Sequence, residues 1–317
     1  GFISNFAVVE TVVFDDVGTA FNGKAPSPAG VLGHSFDPEG FVTNPMNGHM
    51  LVSDEYGPSL FEFDRNGQLV HEYTTPANLV PKVGAAENYV ATPPTLTTGR
   101  EPNRGYEGLA ISPDGQYAYA VLQNGTVADG WTASSRGQYT RIVKYDTTTG
   151  EAVGQYAYKL ESAGQGRGIS AIVALGDDKF MILERNNRGI GVGAAIASPD
   201  KNVFMIDLNG ASDVSSISLP ASGSLPGGYT AVSKGAKIID LDENTLAALG
   251  DKSPEKWEGL SIGPKLNDGS YLILAGTDND YSVTQNAGGT QFDVYFRFTD
   301  ADPFATSIQC PRPSASR

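Results

Sequence analysis

Acidic side chains that could bind a metal ion or transfer protons stand at the ends of predicted strands. They are Glu39, Glu55, Glu107, Glu184, Glu258, Asp278 and Asp280. Carboxylates held close together repel one another unless a cation lies among them, and hard oxygen ligands of this kind suit calcium. The alternative is architectural, with each glutamate accepting hydrogen bonds from backbone N–H groups between neighbouring sheets. The residues alone leave both interpretations open.

The metal interpretation predicts a calcium site with basic groups beside it. The predicted ligands are Glu39, Glu55, Glu107, Glu258, Asp278 and Asp280. Two arginines lie near acids in the sequence, Arg104 before Glu107 and Arg185 after Glu184. We predict that an uncoordinated carboxylate, Glu107 or Glu184, takes a proton from water, and that Arg104 or Arg185 holds the developing charge. For each arginine, a salt bridge between sheets is the alternative.

Other catalytic signatures are missing from the sequence. There is no G-x-S-x-G element, and the three histidines all precede residue 72 with no evident serine partner. Neither H-E-x-x-H nor C-x-x-C spacing occurs, which argues against zinc. Water activated by a metal ion is therefore the most economical route to hydrolysis.

A recurring strand–turn–strand unit carries the acids. Its clearest copy is residues 103–123, in which strands Tyr106–Ser112 and Tyr117–Leu122 flank the turn Pro113-Asp114-Gly115. Proline and aspartate favour a type I turn, and glycine supplies the positive φ that closes it. Alternation of bulky and small residues on both sides of the turn predicts β-strands.

Four copies of this unit predict a β-propeller. A glutamate–glycine pair recurs at Glu39, Glu107 and Glu258, and Ser170 stands near the glutamate's place in a more degenerate copy. Equivalent positions of successive blades surround one axis, so we expect these side chains at one mouth of the central channel. Repeats of roughly 60–90 residues exceed one blade, so some intervals carry an extra blade or long loops.

The predicted fold is therefore a single all-β domain over residues 1–317. We predict a propeller of six blades, with five as the alternative. Its N-terminal blade is expected to be incomplete, or to be closed with strands from the C-terminus. Hydrophobic residues make up 40% of the chain, which is enough for a core.

Charge and hydropathy limit the partners. The formal net charge of −14 makes nucleic acid and anionic membranes poor partners. No apolar run approaches the roughly 18 residues of a membrane span. The single cysteine, Cys310, allows no internal disulfide. We expect a monomer.

The order of the motifs resembles the phytase-like family, also described by an "esterase-like activity of phytase". The likeness runs from about Asp37 to Phe298, through DPEG, SDEYGPSLFEFD, NRGYEGLAISPDG, IVALGDDKFMILERN, KWEGLSIGP and GTDND. It implies a secreted or periplasmic β-propeller related to calcium-dependent phosphoesterases, acting on a small anionic ester. Family members usually open with a further strand pair that this chain lacks before Phe6, so we expect an unclosed ring in a processed fragment.

A second class of function stays open. A propeller without catalytic activity could bind a protein or a glycan through its loop face. The long loops 74–102 and 124–138, rich in threonine, glycine and aromatic residues, would then form the binding surface. Calcium-dependent turnover of a simple phosphoester would favour hydrolysis over binding.

Overall fold

The structure is a computed structural model that describes residues 10–130, 137–162, 164, 166–188, 200–246, 254–278 and 294–298. Within that part of the chain the regular elements are β-strands and one short helix, α1 (Leu241–Leu246). The strands are β1 (Asp15–Asp16), β2 (Thr19–Ala20), β3 (Pro38–Thr43), β4 (Met50–Asp54), β5 (Ser59–Phe63), β6 (Leu69–Glu72), β7 (Lys82–Val83), β8 (Ala86–Glu87), β9 (Tyr106–Ile111), β10 (Tyr117–Leu122), β11 (Tyr139–Asp146), β12 (Ala152–Lys159), β13 (Gly168–Gly176), β14 (Lys179–Arg185), β15 (Lys201–Asp207), β16 (Ser233–Asp240), β17 (Trp257–Lys265), β18 (Tyr271–Thr277) and β19 (Val294–Phe298).

Four antiparallel sheets follow one another along the chain. The first contains β3 to β6, the second β9 to β12, the third β13 to β16, and the fourth β17 to β19. Each sheet is a meander, because every strand pairs with the next one in sequence. Strands β1 and β2 form a short hairpin outside these sheets, as do β7 and β8. Successive antiparallel meanders of this kind are the blades of a β-propeller.

The hairpin turns follow from local side-chain chemistry. Between β5 and β6, Asp64 Oδ1 accepts hydrogen bonds from the backbone N–H groups of Asn66 (2.8 Å) and Gln68 (3.0 Å). Gly67 completes that turn with a φ of 88°, in the left-handed region that glycine adopts most readily. The predicted turn between β9 and β10 is built in the same way, with Asp114 accepting from the backbone N–H of Gln116 and Gly115 at a φ of 76°.

The first strands of the four sheets lie side by side and surround the channel. Strand β3 contacts β9, β9 contacts β13, and β13 contacts β17. Glycines allow the close approach: a Cβ at Gly40 would lie 2.5 Å from Leu109 Cβ, and one at Gly105 would lie 2.2 Å from the backbone oxygen of Glu55. Gly40, the glycine after the motif glutamate of β3, therefore lets this strand pack closely against the neighbouring inner strand β9.

Apolar layers between neighbouring sheets form the core. Residues of the first and second sheets share one layer, including Leu51, Leu60, Leu109, Ala120 and Val143. The second and third sheets share another, including Val121, Ile142, Ile172, Phe180 and Ile182. The third and fourth sheets pack through Met181, Leu183, Val203, Trp257 and Ile273. Burial of apolar side chains on both faces of the middle sheets supplies the main driving force for this stacking.

The prediction of an all-β propeller is confirmed. Four sheets with blade topology occur in the described residues, and the six-blade count and the single domain over 1–317 stay predictions. No helix in the described part of the chain is long and apolar enough to cross a membrane.

Candidate functional site

The motif glutamates occupy the same place in three inner strands. Glu39, Glu107 and Glu258 are the second residues of β3, β9 and β17. In the third sheet the corresponding residue is Ser170. Ser170 lies two residues after Gly168, just as Glu107 lies two residues after Gly105. Gly168 pairs with Arg185 and Gly105 accepts a hydrogen bond from Gln123, so each glycine faces the end of the next strand. Equivalent position in a ring of sheets brings these side chains to one end of the channel.

A second set of side chains comes from the ends of the neighbouring strands. Backbone N–H groups of Glu55, Gln123 and Asp278 donate to the carbonyl groups of Asp37, Gly105 and Lys256, at 2.9, 3.0 and 3.0 Å. In the third sheet, Arg185 pairs with Gly168. Each sheet therefore presents a pair at the channel end: Glu39 and Glu55, Glu107 and Gln123, Ser170 and Arg185, Glu258 and Asp278.

These residues surround a cavity of about 720 Å³, which we call the acidic mouth. Its charged lining residues are Asp37, Glu39, Glu55, Glu107, Glu255, Glu258, Asp278, Arg104, Arg185 and Lys256. Seven carboxylates thus face three cationic groups, a large acidic surplus for one cavity. Of the predicted site residues, Asp280 lies outside the described part of the chain.

One half of the acidic mouth is formed by the carboxylates of Asp37, Glu39 and Glu55. One carboxylate oxygen from each of these residues lies within 4.8 Å of the others. The Glu55 side chain is buried, and its Oε1 atom has no hydrogen-bond partner among the residues that the structure describes. Burial raises the pKa values of Glu39 and Glu55 above the ordinary carboxyl range, and the negative charge of Glu107 raises both further. Three mutually repelling carboxylates, of which Glu55 is buried with an unsatisfied oxygen, fit a hard divalent cation such as calcium.

The other half of the acidic mouth is organised by Arg185. Its guanidinium donates to Glu258 Oε1 at 2.5 Å, to Glu255 Oε1 at 2.9 Å and to Ser170 Oγ at 2.8 Å. The Glu107 carboxylate is 3.8 Å away. Burial by itself would lower the pKa of Arg185, but the surrounding carboxylates, Glu258 first, raise it. The arginine is therefore charged and holds three strands of the channel together.

Glu107 lies between the two halves. Its Oε1 accepts a hydrogen bond from Gln123 Nε2 at 2.6 Å, and Arg104 donates to the other end of the same amide. Burial raises the pKa of Glu107 to about 7, against the lowering effects of Arg185 and of the Gln123 hydrogen bond. A carboxyl group that titrates near neutrality can accept and release a proton at physiological pH.

The structure does not bring Glu184 into the acidic mouth. Its carboxylate is buried beside the third sheet and accepts hydrogen bonds from Tyr158 Oη (2.8 Å), Lys234 Nζ (2.8 Å), Arg167 Nη1 (3.1 Å) and the backbone N–H of Glu161 (2.8 Å). Four donors fill its acceptor positions, and it does not line the cavity. Glu184 therefore takes no part in the function proposed below, and its neighbour Arg185 lies in the site.

Sequence reasoning missed several residues of the acidic mouth. They are Asp37, Glu255, Gln123 and, through its hydrogen bond with Arg185, Ser170. The signal for Gln123 was present, because it follows Glu107 by the same sixteen residues that separate Glu55 from Glu39. Glu255 gave no such signal, since the contact with Arg185 joins residues seventy positions apart.

Solved structures that are similar to this chain share little sequence identity with it. The PQQ-bound aldose sugar dehydrogenase of Streptomyces coelicolor is 14% identical, with 82% of this chain and 68% of that chain covered and a TM-score of 0.37. The β-propeller domain of Cps50 (Swd1) from Myceliophteria thermophila is 8% identical, with 77% and 49% covered and a TM-score of 0.33. Likenesses this weak say nothing about function.

Sequence comparison is more informative. A protein of Arthroderma benhamiae described as an uncharacterized secreted protein is 26% identical over 326 residues, which cover 87% of this chain. The chain spans 63% of the length of that relative. The family model described as "Phytase-like: Esterase-like activity of phytase" matches residues 4–281. That match covers most of the chain and confirms the resemblance seen in its motifs: this protein belongs to the phytase-like family.

Proposed function

We propose that this protein is a calcium-supported hydrolase of phosphate or related esters that acts at the acidic mouth. The observation that carries the proposal is the buried, unpartnered Oε1 atom of Glu55, within a group of three carboxylates whose oxygens lie within 4.8 Å. Leaving such a group without a counter-charge is costly. Membership of the phytase-like family supports the ester as substrate class.

The residues that would hold calcium are Asp37, Glu39 and Glu55. When bound, calcium would polarise the ester's phosphoryl or carbonyl oxygen and favour ionisation of a nearby water. The other predicted ligands have partners of their own: Glu107 accepts from Gln123, Glu258 accepts from Arg185, and Asp278 is 3.7 Å from Lys256 Nζ. The proposed calcium site therefore has fewer ligands than the predicted one, and one of them, Asp37, was not predicted.

Glu107 is the proposed general base. Its pKa of about 7 leaves a substantial ionised fraction at neutral pH, and this fraction can take the proton of an attacking water. Gln123 holds one carboxylate oxygen in place. Burial keeps the group away from bulk water, so its charge acts strongly on the reacting atoms.

Two cationic side chains of the cavity lining would bind the anionic ester. Arg104 precedes β9, Lys256 precedes β17, and both line the acidic mouth. Arg185 is less suited to this role, because its guanidinium already contacts two carboxylates and a hydroxyl group. We therefore assign the predicted role of charge stabilisation to Arg104, and Arg185 keeps a structural one.

The test is hydrolysis by the purified chain with and without calcium. Substrates are p-nitrophenyl phosphate and p-nitrophenyl acetate, which separate phosphate from carboxylate esters. We expect calcium-dependent turnover that falls at least roughly a hundredfold in Glu107→Gln, the size of a lost general base. Glu55→Gln should lower the apparent affinity for calcium, so that more calcium is needed to reach half of the maximal rate. Glu10→Gln, at an exposed glutamate outside the cavity, is the matched control.

Two outcomes would count against the proposal. No calcium-dependent turnover of either ester by the wild type would remove the catalytic assignment. If calcium still raised the unfolding temperature in that case, the propeller would be a calcium-stabilised binding module instead. Equal rates for Glu107→Gln and the wild type would exclude Glu107 as the base.

We also propose that the protein is secreted. The relative from Arthroderma benhamiae is described as secreted, and its similarity covers most of this chain. Immunodetection of the full-length protein in culture medium and in washed cells tests this directly. Retention of the protein in the cells would contradict it.

A further inference from the structure

We propose that Arg185 is a built-in counter-ion that takes the place of a second metal ion and limits the acidic mouth to one divalent cation. The inference deepens the proposed function, since it rests on calcium binding by Asp37, Glu39 and Glu55. In this proposal, Arg185 determines how many divalent cations the acidic mouth binds.

The position of Arg185 in the fold is the first support. At the channel end of each sheet, one residue follows or ends the second strand: Glu55, Gln123, Arg185 and Asp278. Two of these residues are acids and one is an amide, so a cation at this position is the exception. Opposite Arg185 the inner strand also departs from the pattern, because Ser170 stands where the other three sheets have glutamate. The third sheet thus replaces an acidic pair by a hydroxyl group and a guanidinium.

The contacts of Arg185 are the second support. Its three nitrogens are used: Nε by Ser170, Nη1 by Glu255 and Nη2 by Glu258. The two carboxylates come from the segment that begins the fourth sheet, about seventy residues later in the chain. One planar cation with oxygen ligands from two sheets occupies the position that a metal ion would need in order to neutralise Glu255 and Glu258.

The contrast between the two halves is the third support. Where Arg185 reaches, the carboxylates of Glu258 and Glu255 have a partner at 2.5 and 2.9 Å. In the other half, Glu55 Oε1 is buried and finds no hydrogen-bond partner in the described part of the chain. Arg185 therefore compensates Glu255 and Glu258, which leaves the group of Asp37, Glu39 and Glu55 as the place for one divalent ion.

Removal of the guanidinium charge should open a second cation site. In Arg185→Gln the carboxylates of Glu107, Glu255 and Glu258 lose their shared partner while the amide can still bond Ser170. Isothermal titration with calcium at pH 8 is expected to give one ion per wild-type chain and two per Arg185→Gln chain. Arg185→Lys keeps the positive charge and should bind one. The triple variant Arg185→Gln, Glu255→Gln, Glu258→Gln should return to one.

A matched control addresses the loss of any buried arginine. Arg167 is also buried and also contacts two carboxylates, Glu184 and Asp200, but it does not line the acidic mouth. Arg167→Gln is expected to lower stability and to leave the number of bound calcium ions at one. A second ion in Arg167→Gln would show that loosened packing, rather than the place of Arg185, creates the site, and it would overturn the inference.

A second variant covers the case in which Arg185→Gln does not fold. In Glu255→Gln, Glu258→Gln, the arginine stays but its charge is no longer neutralised, and Arg185 interacts electrostatically with Glu39. We expect calcium to bind this variant about tenfold more weakly than the wild type, with one ion still bound. Unchanged or tighter binding would contradict the role of Arg185 as counter-ion.

The outcomes separate this inference from the proposed function. One ion in both wild type and folded Arg185→Gln would overturn the inference and leave the proposed calcium site standing. No ion in the wild type and one in Arg185→Gln would overturn the wild-type site, while the counter-ion role of Arg185 would be supported. No ion in either chain would overturn both.

Discussion

Gln123 donates a hydrogen bond to Glu107 across 2.6 Å, and this bond lowers the pKa of a carboxyl group that burial raises to about 7. The amide is itself held by Arg104, so a chain of three side chains fixes one oxygen of the proposed base. The relationship follows from the ladder between β9 and β10, which places Gln123 beside the start of the inner strand.

Gln123→Leu should raise the pKa of Glu107, because the ionised carboxylate loses a donor. The proposed base would then ionise at a higher pH, and the ascending limb of kcat/KM against pH should move up by about one unit, the worth of one such hydrogen bond. A pH–rate profile measures this, with exposed Gln116→Leu as control. A profile that stays in place would separate Gln123 from the proton transfer.

Without calcium, the protein should lose stability as the pH rises. Glu55 and Glu107 have raised pKa values in the folded state, so the folded chain keeps protons that the unfolded chain releases above the ordinary carboxyl pKa. Their stabilising protonation is complete below the ordinary carboxyl pKa, and it is lost as the pH rises through a pKa of about 7 for Glu107 and about 9 for Glu55. We expect the unfolding temperature in chelator to fall by roughly 5 °C or more between pH 5 and pH 8.

Calcium should reverse this pH dependence, because it replaces the protons that the carboxylates lose. The rise in unfolding temperature on adding calcium should therefore grow from pH 5 to pH 8. Glu107→Gln, which removes one titrating group, should show a smaller fall in chelator than the wild type. An unfolding temperature in chelator that increases over this pH range would contradict the charge assignment of the acidic mouth.

Gly105→Ala should disturb the site from outside the set of charged residues. The added Cβ would lie 2.2 Å from the Glu55 backbone oxygen, so the first and second sheets must separate locally. We expect a loss of about 1–3 kcal/mol in the free energy of unfolding, as for overpacking, together with weaker calcium binding. Denaturant unfolding and calcium titration measure the two effects. Gly23→Ala, where a Cβ meets open space, should change neither.

Glu184→Gln should lower stability and spare activity. The substitution weakens a buried network with Arg167 and Lys234, at a cost of about 3 kcal/mol, but both cations keep another carboxylate, Asp200 and Glu161 respectively. Thermal unfolding should shift down, while kcat and KM of the folded fraction at low temperature match the wild type. Lost turnover at unchanged stability would return Glu184 to the list of catalytic candidates.

Local chemistry was sufficient to predict the repeating unit and the place of its glutamates. The turn at Pro113-Asp114-Gly115 is encoded by three adjacent residues, and Glu39, Glu107 and Glu258 stand at equal offsets within similar strands. Both are short-range features, since backbone dihedrals and side-chain alternation depend on near neighbours. Their meeting at one channel end follows once the units are stacked as blades.

Tertiary structure alone decided which acids have partners. Glu184 and Arg185 are adjacent in β14, and successive side chains of a strand point to opposite faces. The sequence does not state which face meets the channel, because that depends on how the third sheet packs against its neighbours. Packing of the third sheet directs Glu184 towards a buried hydrogen-bond network and Arg185 towards the acidic mouth. There Arg185 contacts Glu255 and Glu258, which come from a distant segment of the chain. Contacts between blades are set by burial of whole sheet faces, so no local pattern records them.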